Sequence, residues 1–474
     1  MSQVIGVLLG VFNWIFAQGA PVIVPVTVLI LGAVFRAPLR RTLLCALRMG
    51  VGFTALYALI TIVLGALGPT GELMAQRYGI GLTVPDVGWP VLSSLVFALP
   101  YSMAAIAGLF LLNAVLVAIG VVDTLNVDYF NHWPFVFTMG AVQLATGNWI
   151  LATISALVFW FITLKMADWT YPYIEPYYEM PGISIPHSHS VVYAPLGFLM
   201  DQVWDRIPRI KDIKLDPTRI RERYGLIGEP IVIGTVVGLI IGILSYVTWP
   251  PTGDQLAKVI SLALTLGFFM VILPRCSELI VMGLAPLAES IREFITKRMP
   301  GREFHLGLDV AVLVGKPEHV ALGVLLAPLC YLIALLIPGN RVLPLADAAG
   351  YMIFFTVWGV NTCRGNLFRG LLNSLLLWIP ISIIIANAWI PATTTMIAAT
   401  GFKLPVAAPQ VTSLTTGSHF IGYALYNIMT FLGGKGSFSG FIVGVAILAV
   451  FGLIWYAVRT RPKAYAEELK QERF

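Results

Sequence analysis

What this sequence most lacks is charge: Asp, Glu, Lys and Arg make up 11% of its 474 residues, against about 25% in a soluble domain. Hydrophobic residues account for 58%, and mean hydropathy is +0.85. Too little polar surface remains to hold such a chain in water, so a soluble fold is excluded. The formal net charge of +6 gathers in short connections between apolar runs, which argues against a nucleic-acid surface. Cysteine is scarce as well. Cys45, Cys276, Cys330 and Cys363 form no Cys-x-x-Cys pair and lie in or beside apolar segments, where a thiol packs as a small hydrophobe. No metal site and no cofactor are expected. Lysine and arginine are missing before Arg36, so the basic start of a cleavable secretory signal is lacking; the first apolar run is expected to stay as a span. P-loop, Gly-x-Ser-x-Gly, His-Glu-x-x-His and dinucleotide fingerprints are missing too, and no catalytic residue is assigned to this chain.

What is present is a series of apolar runs, many near one bilayer thickness when helical. They read at roughly 13–34, 49–67, 91–119, 134–148, 149–164, 228–248, 257–273, 319–337, 350–360, 371–390 and 440–458. An all-α polytopic membrane protein of about ten or eleven spans is predicted. Between the runs, 69–90, 175–200, 303–317 and 405–439 are semi-apolar but too irregular for plain helices. Non-helical backbone at membrane depth persists only where protein or a water-filled cavity satisfies its amides. Re-entrant hairpins and broken helices around a transport site are therefore expected there.

Basic residues cluster at Arg36, Arg40, Arg41 and Arg48; from Arg206 to Arg223; at Arg292, Lys297, Arg298 and Arg302; and at Arg459, Arg461 and Lys463. Loops near 69–84, 249–256 and 391–412 carry almost none. Lys and Arg favour the cytoplasmic side. The N-terminus is thus expected outside and the C-terminus inside, in a bacterial inner membrane.

Four islands recur in order along the chain. Gly19-Ala-Pro21 matches Gly228-Glu-Pro230, and Pro85-Asp86-Val87 matches Leu308-Asp309-Val310. The run from Phe137 to Asn148 matches Phe355 to Asn366 without a gap, pairing Gln143 with Asn361. Ser188-His189 through Ala194 matches Ser418-His419 through Ala424. Such recurrence signals duplication, and two repeats, 1–222 and 223–474, are predicted. The charge pattern runs the first span of each half in opposite directions, so the repeats are inverted. Inverted repeats place a site near the midplane, where discontinuous helices meet.

Ionisable groups inside a membrane need a partner or a task. The repeat-paired set Asp86, Asp309, Gln143, Asn361, His189 and His419, with His187, is the candidate substrate site. These groups hydrogen-bond, and a neutral polyol offers hydroxyls that both donate and accept. Trp89, Trp133 and Trp149 lie close in sequence and could stack on a sugar face. Plainer readings stand beside these. Asp86 and Asp309 suit turn and cap positions, Gln143 and Asn361 suit helix-to-helix hydrogen bonds, and His189 and His419 suit the interface. Arg364 and Arg369 read as cytoplasmic-side markers rather than substrate clamps.

Val-Pro-Asp86-Val-Gly-Trp-Pro, Asn126-Val-Asp128, Leu-Ala-Thr-Gly147-Asn-Trp, Ile-Pro186-His187, Gly307-Leu-Asp309 and Arg364-Gly-Asn366-Leu-Phe-Arg369 resemble, in order over nearly the whole chain, the galactitol-type IIC components of phosphotransferase systems. These are related to the ascorbate type. The resemblance implies a homodimer in the lipid bilayer, each protomer with a scaffold domain and a core transport domain moving by an elevator mechanism. It also implies phosphorylation of the sugar by a separate IIB protein charged by IIA, with no covalent phosphate on this chain. Departures at Gln143 and Ser188-His189 leave the sugar open among galactitol, other hexitols, pentitols and ketoses. The rival reading is an ion-coupled secondary transporter in which Asp86 or Asp309 carries a proton or sodium.

Overall fold

In the computed structural model, the structure describes residues 20–471 except 80–81, 98, 214, 216–228, 299–303, 314–315, 345–346, 348–351 and 402–408. Gly19, Gly228 and the predicted repeat boundary at 222/223 lie outside the described residues.

Helices dominate, and their lengths follow from what each sequence stretch permits. Ala20–Val34, Leu39–Arg77, Pro230–Tyr246 and Gly253–Arg298 pack as one bundle. Close approach within it needs small residues. Gly234, Gly238 and Gly242 recur every four residues on one face, and a Cβ there would stand 2.6, 2.5 and 3.0 Å from Leu266, Ala263 and Val259. This is the small-residue spacing by which membrane helices pack closely. A second group comprises Trp133–Thr146, Trp149–Tyr178, Leu367–Asn373, Ile379–Thr400, Phe420–Leu432, Phe438–Val458 and Arg461–Gln471.

Among the described residues, five helical stretches are long and apolar enough to cross a membrane, or six when the bent pair within 318–336 counts as one. Four shorter apolar helices accompany them. The apolar runs therefore do not map one-to-one onto helices. The run at 91–119 divides into Gly88–Phe97 and Ser102–Ile119, with Pro100 in the break. The run at 257–273 continues as helix to Arg298, because an amphipathic extension packs against Leu39–Arg77 without being apolar all round. The run at 350–360 yields only the short helices Met352–Phe355 and Val357–Asn361.

Two breaks share one device. Gly147 ends its helix at φ +67°, and Asn148 accepts the amides of Ile150 and Leu151 to start the next. Gly365 lies at φ +78°, and Asn366 accepts the amides of Phe368 and Arg369. Left-handed backbone favours glycine, and asparagine caps the helix that follows. Sequence had aligned these two pairs.

The irregular segments meet one another. β1 (Val84–Pro85) pairs in parallel with β5 (Val342–Leu343), and Asp86 bridges to Thr412. β2 (Thr124–Asn126) and β3 (Ile183–Ser184) flank β4 (His305–Gly307), all parallel. Five strands of two or three residues thus satisfy backbone amides that no helix takes up. Elsewhere, Arg369 is buried between Asp201 (2.5 Å) and Asp205 (2.8 Å), and Tyr465 donates to Asp201 at 2.6 Å. That cluster ties the last helix to the rest and gives Arg369 a structural partner.

Candidate functional site

The β2–β4 register decides the site. Thr124 faces His305 and Asn126 faces Gly307. Two residues further along each strand stands an aspartate, Asp128 on one and Asp309 on the other. Each opens a 3₁₀ turn in the same way: Asp128 Oδ1 accepts the Phe130 amide at 2.8 Å, and Asp309 Oδ1 accepts the Ala311 amide at 2.7 Å. Equal register in a parallel pair sends both to the same end of the ladder. β3, on the other edge of β4, leads into Pro186 and His187. Gly307 has to be small, because a Cβ there would meet Pro186 at 2.7 Å and Thr124 at 2.8 Å.

These strand ends open onto a cavity of about 50 Å³, room for a few waters when one needs about 10–15 Å³. Asp128, Asp309, His187, His189 and Thr415 supply its polar lining, and Trp89, Phe130 and Trp133 are among its aromatic walls. No lysine or arginine is among the described lining residues. His187 Nε2 stands 3.8 Å from Asp309 Oδ2. On the other side of its ring, Nδ1 meets Ser190 Oγ at 3.0 Å, while that hydroxyl donates to the His187 carbonyl at 3.3 Å. The tautomer with Nδ1–H donating to Ser190 Oγ is the one that leaves the Nε2 lone pair free to accept from a hydroxyl.

His189 and His419, aligned by sequence, lie in ring contact with centroids 4.0 Å apart and planes tilted by 39°. Trp133 lies 5.0 Å from the first ring and 5.6 Å from the second. His187 is 4.9 Å from His189. The three histidines are in successive ring contact, His187 to His189 to His419.

The remaining sequence candidates stand elsewhere. Asp86 is buried, but Oδ1 accepts the amides of Gly88 and Leu414, and Oδ2 accepts that of Asp347. Asp347 reciprocates by accepting the Trp89 amide and bonding Ser413 and Thr415. This carboxylate pair clamps three chain segments together, and neither member lines the cavity. Asn361 is buried against Tyr178, which donates to its Oδ1 at 2.7 Å, and its carbonyl accepts from Tyr173. Gln143 is half-buried in the last turn of its helix, and Trp149 packs on Tyr101. None of these three lines the cavity. Asp128 and Thr415, which do, were not among the sequence candidates. Leu125-Asn-Val-Asp128 and Leu306-Gly-Leu-Asp309 share spacing, and that match was the available signal for Asp128.

Membrane-length apolar helices enclosing a small cavity of uncharged and acidic hydrogen-bonding groups define a permease for a polar solute. The comparisons with known proteins give the family. Residues 14–407 match the model described as "PTS system sugar-specific permease component", EIIC-GAT. A protein described as a permease IIC component, from Escherichia coli (strain K12), is 33% identical over 438 residues, covering 92% of this chain and 97% of that one. The galactitol-specific EIIC components of Escherichia coli (strain K12) and Escherichia coli O157:H7 are each 31% identical over 454 residues, covering 95% of this chain and 96% of theirs. The chain belongs to the family of PTS sugar-specific permease IIC components. As such it is a multi-pass inner-membrane protein that takes a sugar substrate and works with IIA and IIB partners.

Proposed function

We propose that this chain is a polyol permease that binds its substrate among Asp128, Asp309 and His187 and presents it for phosphorylation by IIB. The carrying observation is the convergence of two register-matched carboxylates and one histidine on a single cavity. Ionised carboxylates only accept hydrogen bonds, so two of them without a lining cation suit a neutral ligand rich in hydroxyl donors. Trp89 and Trp133 offer faces for its C–H surface. A hydroxyl that reaches the His187 Nε2 lone pair donates its one proton to that nitrogen while a neighbouring hydroxyl donates to Asp309, and the first is the hydroxyl we assign to phosphoryl transfer. His189 lines the cavity beside it, and His419 packs against His189. Asp86, Gln143 and Asn361 act outside the direct contacts.

Galactitol, named for two relatives, is the first polyol to test. The cavity is small, so binding has to be accompanied by widening, which fits a carrier that closes around its solute. Inverted repeats are supported by the matched Gly-Asn breaks and by the meeting of His189 with His419. A homodimer moving its core as an elevator, N-terminus outside and C-terminus cytoplasmic, completes the reading.

Calorimetric titration of purified protein with galactitol and other polyols tests it. Asp309→Asn and His187→Ala should each weaken binding about tenfold, the size of a hydrogen bond to a charged group. Unchanged affinity in both variants would sink the assignment. Vesicles lacking IIA and IIB should accumulate no sugar; ion-driven accumulation would instead mark a secondary transporter.

A further inference from the structure

A second cavity, of about 410 Å³, shares no lining residue with the first. One wall is a single face of the Phe438–Val458 helix, from Ala446 to Ile454; the other is a stripe of the 379–400 helix and the turn before it. Its floor includes Tyr193 and Phe420, which follow the segments bearing His189 and His419. The lining is apolar apart from the Tyr193 hydroxyl, which has no hydrogen-bond partner among the described residues. An apolar cavity of about 150 Å³ already takes benzene, so this one has room for a longer chain.

Its surroundings say what kind of chain. Ala446 and Val450 are exposed, so the cavity is a groove open on its outer side. Only 11% of the most apolar window of that helix is buried, and in a multi-pass membrane protein the medium against such a face is lipid. From Ala446 to Ile454 is eight residues, about 12 Å of helix, and Arg459 follows about 20 Å from Ala446. Half a bilayer, headgroups included, is about 20–22 Å. The groove thus runs from mid-bilayer to an end where Arg459, whose guanidinium rests over the Tyr456 ring and donates to that residue's carbonyl, and Lys463 are exposed. Basic side chains at the membrane surface attract anionic lipid by about 1 kcal/mol each.

We propose that this groove is a binding site for one anionic phospholipid, an acyl chain lying between Ala446 and Ile454 and the phosphate at Arg459. The bound chain then backs the segments that carry His189 and His419.

Native mass spectrometry of the purified full chain, with added phosphatidylglycerol or phosphatidylcholine, tests the site. The wild type should retain phosphatidylglycerol in preference to phosphatidylcholine. Ala446→Trp, at an exposed position that tolerates bulk, should abolish retention of both while gel-filtration elution stays unchanged. Arg459→Gln leaves the groove intact and should weaken phosphatidylglycerol retention about fivefold, phosphatidylcholine retention being unaltered. Equal retention by Ala446→Trp and wild type overturns the proposal, as does equal retention of the two lipids by the wild type. Loss of a dimer in Ala446→Trp, without loss of lipid, would show that a second copy of the chain covers the groove.

Discussion

Asp86 and Asp309 carry the same side chain, and both looked like sugar ligands in the sequence. Their surroundings separate them. Asp86 accepts three main-chain amides from three segments, whereas Asp309 spends one oxygen on the Ala311 amide and turns the other toward His187. Removing the Asp86 carboxylate leaves buried amides without acceptors, each costing about 1–3 kcal/mol. Asp86→Ala is therefore expected to lower the melting temperature in detergent markedly, with any surviving folded fraction binding sugar near wild-type affinity. Asp309→Asn should do the reverse, losing affinity while melting close to wild type. Paired melting curves and titrations decide between these roles. His187, His189 and Asp309 were legible in the sequence because an ionisable group in an apolar setting stands out. Asp128 stood out less, since its significance comes from a strand partner about 180 residues away.

At the level of elements, the breaks were more legible than the strands. Gly147-Asn148 and Gly365-Asn366 use residue types that left-handed backbone and helix caps demand, so they could be matched by eye and recur in space as matched. Strands of two or three residues are too short to show a period of two, and none of β1 to β5 was foreseen. The two glycine breaks also differ in a testable way. Nothing lies within 4 Å of a Cβ at Gly147, while at Gly365 it would stand 2.9 Å from the Tyr177 hydroxyl, which donates to Glu318 at 2.7 Å. Gly147→Ala should thus cost only the left-handed penalty of about 1–2 kcal/mol. Gly365→Ala should destabilise more, because it also displaces Tyr177 from Glu318. Comparing the loss of melting temperature in the two variants tests the ranking.

For the whole molecule, composition settled the membrane class and the resemblance settled the family, but hydropathy alone did not give the helix count. Apolar windows register how greasy a stretch is; they do not see where an amphipathic helix such as Gly253–Arg298 carries on by packing. Orientation was read from Lys and Arg, and it can be checked directly. Cys45, Cys276, Cys330 and Cys363 are free and buried, so a membrane-impermeant maleimide should label the wild type only weakly. Thr252→Cys, in an exposed loop, should react in intact cells, and Lys463→Cys only after permeabilisation. The opposite pattern would reverse the assigned sides.

The three-stranded ladder has a consequence for selectivity. The spacing of Asp128 and Asp309 is set by main-chain bonds between β2 and β4, with Asn113 and Asp168 of two neighbouring helices holding β2 in place. In the alternating exposure proposed above, helices that rearrange would carry the two carboxylates as a caliper of constant gap. Polyols should therefore keep the same order of preference at loading and at release, whatever happens to the absolute affinity.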